Sequence, residues 1–215
     1  QRTRKNKNNY SRRNKTNLFT MIDTNKQVDF INTVIDSNIK NEDFYNRILF
    51  GSADYIMSNS ENGDKKIPAV IEDGEYTAMI YDDKYRLMAY HRNRTSQLLP
   101  NVKVKEYGDN QVTNYTKFTF MSMICFINTE VTKTTQEILA NSIVFSFPQE
   151  IEKKDLIAGV DSVKFSIMGF DFDSVAIFRR EMDGLPYDLE NKIMLVEVKY
   201  KIECCFNKSC VKSCF

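Results

Sequence analysis

From Ile67 to Cys204 apolar and polar positions alternate over short runs divided by turn residues, the two-residue period of half-buried strands. Val102, Val104 and Tyr107 alternate with Lys103, Lys105 and Glu106, and Gly108-Asp109-Asn110 then supplies a turn. The pattern predicts strands over 75–81 and 84–90, joined as a hairpin through Asp82-Asp83. Further strands are predicted over 143–147, 162–168, 174–180 and 192–204, punctuated by Pro148, Gly169, Gly184 and Pro186. Residues 117–127 are apolar on both faces. Phe118, Phe120, Ile124 and Phe126 point one way, and Met121, Met123, Cys125 and Ile127 the other. Such a strand is covered on both sides. Ahead of these runs Val28, Ile31, Val34, Ile35 and Ile39 recur at helical spacing, with Asp23 or Thr24 available as N-cap. The stretch 43–55 fits either helix or strand.

Eight or nine short strands predict a mainly β chain, a single β-sandwich or barrel, the jelly roll being one such form, with one short helix and a basic N-terminal arm. The expected divisions are an arm over 1–22, a sandwich body over 23–203 and a cysteine-rich tail over 204–215. No run approaches the 18 apolar residues of a membrane-spanning helix, so no membrane span is expected. The chain starts at Gln1 rather than Met, as a processed, trimmed or partial sequence would, and shows no secretory signal.

Composition adds that 215 residues with 42% hydrophobic side chains can bury a real core. Charge is unevenly distributed along the chain. Residues 1–22 hold Arg2, Arg4, Lys5, Lys7, Arg12, Arg13 and Lys15 and no acid. Subtracting those seven charges from the net +1 leaves −6 on residues 23–215. The arm is too poor in apolar groups to offset its ordering entropy by itself. A segment of this kind suits a polyanion, because neutralising phosphates releases condensed counterions whatever the base sequence. A solvated tail or an import signal is the alternative.

A basic arm, then a helix, then about eight strands resembles the layout of small viral jelly-roll coat proteins. The resemblance spans most of the chain and implies many copies assembling through the β-body, with Arg2 to Lys15 facing enclosed nucleic acid. It implies a location in the virion, or otherwise the cytoplasm. Abundant asparagine, lysine and isoleucine fit an AT-rich coding genome.

Candidate chemistry is sparse. Asp188 followed by Glu197-Val198-Lys199 in an apolar strand resembles the Asp…Glu-x-Lys pattern of restriction-like nucleases, in which the carboxylates hold Mg²⁺ and the lysine helps activate water. Only 16 residues follow Lys199, too few for the helix and strand that fold still requires. Asp171 and Asp173, with Asp161 nearby, offer a divalent-ion site or, more simply, a solvated turn. Cys204, Cys205, Cys210 and Cys214 form possible disulfides or free thiols; adjacent cysteines suit a tetrahedral zinc site poorly. Cys125 is expected to be a buried apolar filler. His91, the single histidine, is expected at the surface with Arg92 and Arg94 in a solvated basic stretch. Sequons at Asn9, Asn14, Asn93, Asn114 and Asn207 matter only in a secreted chain. With seven glycines and no phosphate-binding loop, the expectation is a structural protein without cofactor, metal or catalytic residues, and with a non-shell nucleic-acid-binding module as the alternative.

Overall fold

The structure, a computed structural model, describes residues 24–40, 42–60, 63–72, 75–79, 81–104, 110–131, 134–157, 160–181 and 192–207. The seven cations of the arm, Asp188, Cys210 and Cys214 lie outside them.

The chain is mainly β. Helix α1 (Thr24–Asn38) comes first, followed by a 3-10 turn at Glu42–Phe44. The strands are β1 (Arg47–Ser60), β2 (Gly63–Glu72), β3 (Glu75–Ala78), β4 (Leu87–Val104), β5 (Asn110–Asn128), β6 (Glu150–Lys154), β7 (Ser162–Asp171) and β8 (Ile193–Asn207). Helix α2 (Gln136–Ser146) joins β5 to β6, and α3 (Ser174–Glu181) joins β7 to β8. All eight strands lie in one mixed sheet of order β3-β2-β1-β4-β5-β8-β7-β6. Only β1 and β4 run parallel; every other pair is antiparallel. The expected sandwich or jelly roll is therefore not confirmed, because the second layer over the described strands consists of helices.

Two predicted strands are helices, and the cause is periodicity. Ile143 to Phe147 alternates when taken alone, yet Leu139, Ala140, Ile143, Val144 and Phe147 together follow a helical period and are all buried. Thr135 caps α2, its hydroxyl accepting from the Ile138 amide at 3.4 Å. Residues 174–180 likewise form most of α3. Asp173 caps that helix, its Oδ1 accepting from the Ala176 amide at 3.0 Å, and Asp171 Oδ1 accepts from the Asp173 amide at 3.0 Å. The two carboxylates thus shape a turn and a helix start. Strands β3 and β4 do not form the predicted hairpin. The turn exists, with the Tyr85 amide donating to the Asp82 carbonyl at 3.1 Å, but β3 pairs with β2 while β4 pairs with β1 and β5.

The sheet is covered on both faces. On the first, Val28, Ile31 and Ile35 of α1 and Leu139 and Ile143 of α2 pack over Leu87, Ala89, Met123, Cys125, Val196 and Val198. On the second, Ile177 of α3 packs over Met88, Tyr90, Ile124, Phe126 and Leu195. Each fully buried Leu or Ile contributes about 1.5–3 kcal/mol of transfer free energy. Strand β5 supplies both cores in the alternation its sequence predicts. The sheet ends in two short strands, β3 (EYTA) and β6 (EIEKK), whose charged residues discourage pairing with another chain.

Candidate functional site

Ionisable groups gather on the second face, beside α3. Strand alternation puts Glu197 of β8 on the same side as Leu195, and it is fully buried, as is Glu181 at the end of α3. In β4 alternation puts Arg94 on this face with Tyr90 and Arg92, at a register shift between Asn93 and Thr95, and its Nε donates to Ser122 Oγ at 3.0 Å. Arg94 Nη2 donates to Glu181 Oε1 at 2.6 Å and to Glu197 Oε1 at 3.1 Å. Arg180 clamps the same pair, Nε donating to Glu181 Oε1 at 3.0 Å and Nη2 to Glu197 Oε2 at 2.8 Å. Tyr55 and Tyr90 donate their hydroxyls to Glu181 Oε2 at 2.6 Å and 3.3 Å. Arg92 lies over the Tyr55 ring, 3.3 Å from its centroid, with Lys66 3.7 Å from that centroid. Lys199 Nζ is 3.8 Å from Glu197 Oε2.

Burial alone would raise the Glu181 carboxyl, but hydrogen bonds from Tyr55, Arg94 and Arg180 and the nearby guanidinium charge outweigh it and hold the group below its ordinary value. Burial, then the hydrogen bond to Glu181, pushes Tyr55 up to about 12. Arg94 is pulled down by burial and raised more strongly by Glu181 and Glu197. The Glu181 carboxylate is therefore ionised and the Tyr55 and Tyr90 phenols neutral at pH 7. Neither tyrosine can serve as a base there.

Of the predicted nuclease set, Glu197 and Lys199 sit on this face. Both Glu197 oxygens already accept from guanidinium groups. Among the described residues no cluster of three or more His, Cys, Asp or Glu could hold a metal ion. The arrangement is suited to anchoring cations: Lys66, Arg92, Arg94, Arg180 and Lys199 carry +5 around Glu181 and Glu197, with Asp54 3.4 Å from Arg92. Arg92 and Arg94 are strand residues with buried partners, which corrects the expectation of a solvated basic stretch.

His91 is also corrected, for it lies on the first face and is wholly buried. Asn32 donates its amide to the Phe50 carbonyl at 2.9 Å, so Asn32 Oδ1 faces His91 Nε2 at 2.8 Å as acceptor. The proton therefore sits on Nε2, and His91 Nδ1, 2.7 Å from the Tyr200 hydroxyl, accepts from it. Burial lowers the His91 pKa to about 3. This trio fastens α1 to the sheet.

Cys125 is buried as expected. Cys204 and Cys205 are free thiols within β8. Cys204 is buried and accepts from Gln27 Nε2 at 3.0 Å. No described helix is long and apolar enough to cross a membrane. No family model matches the chain, and no curated protein matches it.

Proposed function

We propose that the chain is a nucleic-acid-associated structural protein that works in many copies, most concretely a virion component, holding packaged nucleic acid without reading its sequence. The observation that carries this reading is the charge split, seven cations and no acid in residues 1–22 against −6 on the remainder. Lys and Arg neutralise phosphates at any sequence, and the arm concentrates cations with no acid among them. A jelly-roll shell domain would need a second sheet, whereas the described strands share one, so the reading rests on charge rather than fold.

The short charged edges β3 and β6 favour a second reading, a nucleic-acid-binding module that acts in single copies. Stoichiometry separates the two. For the shared element, replacing Arg2, Arg4, Lys5, Lys7, Arg12, Arg13 and Lys15 with glutamine in the full chain should remove most of the co-purifying nucleic acid. Undiminished co-purification would overturn the arm's role.

A further inference from the structure

Helix α3 covers only part of the second face. Beyond it, β5 continues with Phe120 and Phe118 on the side of Ile124 and Ser122, both half-buried. Lys201 stands opposite Phe120 and Lys199 opposite Ser122 on neighbouring β8. Lys201 Nζ lies 5.2 Å from the centre of the Phe118 ring. Two aromatic rings on one strand, about 7 Å apart by strand geometry, are thus interleaved with two lysines on the next.

The charges here are arranged by depth. Glu181 and Glu197 are 0% and 1% exposed, whereas Arg94, Arg180 and Lys199 above them are 28%, 42% and 48% exposed. Solvent meets the cations and not the carboxylates. Glu203, 3.4 Å from Lys201 and opposite Phe118, is a second acid on the same strand face as Glu197. Partly exposed rings bordered by outward-facing cations complement an unpaired base with its phosphate, since every base has a π-face and every nucleotide a negative charge.

We infer that the β5–β8 half of this face is a platform for single-stranded nucleic acid. Phe118 and Phe120 stack on bases; Lys199, Lys201 and Arg94 meet the phosphates. The inference rests on the nucleic-acid reading above but uses residues distinct from the arm. A duplex, with its bases stacked internally, does not engage the rings.

The test is fluorescence anisotropy of the full-length chain with labelled oligo(dT) and with a duplex of equal length, across a salt series. Phe118→Leu with Phe120→Leu keeps apolar volume and removes the rings. Single-strand affinity should fall about tenfold or more, at an unchanged melting temperature, with duplex binding through the arm intact. Lys199→Gln with Lys201→Gln provides a second readout if the leucine variant does not fold. The slope of log affinity against log salt for oligo(dT) should decrease by about 1.4. Wild-type single-strand affinity and salt slope in these variants would overturn the platform while leaving the arm's role standing. Wild-type protein that binds neither probe would overturn both.

Discussion

The chain's only histidine makes acidification a sharp probe of the fold. Buried His91 donates from Nε2 to Asn32 Oδ1 at 2.8 Å and accepts at Nδ1 from Tyr200 at 2.7 Å. Burial holds its folded pKa at about 3, against about 6.5 in the unfolded chain. A depressed pKa means that the unfolded state takes up the proton first. The neutral ring's contribution is therefore complete above pH 6.5 and is lost progressively as pH falls towards 3. Linkage gives about 1.4 kcal/mol per pH unit, so about 2 kcal/mol is gone by pH 5. For a chain of this size that corresponds to a melting temperature lower by about 4–8 °C. Carboxylates titrate mainly below this window. Urea unfolding at pH 7.5, 6.5, 5.8 and 5.0 measures the slope, and the His91 Cε1 proton resonance should stay unshifted throughout. His91→Gln should be less stable at pH 7 and nearly flat across the same range. A wild-type profile flat to pH 5, or a resonance titrating near 6.5, would refute the buried neutral histidine.

Glu181→Gln leaves Arg94 and Arg180 to share one buried carboxylate, Glu197, and should cost about 3 kcal/mol in denaturant unfolding. Because the Glu181 pKa is lowered, that variant should also lose less stability than wild type as pH drops below about 4. Burial pushes the Cys204 thiol up to about 11 and raises that of Cys125 further. Alkylation of native protein at pH 8, mapped by mass spectrometry, should therefore label Cys205 well before either. Thr135→Ala should cost about 1 kcal/mol through loss of the α2 cap, whereas a strand over 143–147 would be indifferent to it.

Features set by local period could be read from the chain. Helix α1 follows from Val28, Ile31 and Ile35. The two-faced pattern of β5 correctly sorts Phe118 to Phe126 from Met121 to Ile127. The misreadings came from windows too short to reveal a helix. Five residues of α2 and seven of α3 carry fewer than two helical turns, so β-branched content decided in favour of strand. The site was hidden for another reason. Arg94 meets Glu181 and Glu197 across separations of 87 and 103 residues, and no local pattern announces such pairs. Charges in a strand usually face water, hence the surface assignment of His91, Arg92 and Arg94. One signal was available: Glu197 sits between Val196 and Val198 in an unbroken apolar run, where an unpaired carboxylate would be too costly to bury. The sheet order was equally hidden, because β8 enters between β5 and β7 only after α3 has crossed the face.

Many copies of the chain holding nucleic acid would form a large, nucleic-acid-bearing particle. Light scattering on purified full-length protein, with the 260/280 nm absorbance ratio taken across the same peak, tests for it most directly. The expected result is a species many times the 25.1 kDa chain mass with nucleic-acid absorbance. A monomer with a protein-only ratio would contradict it.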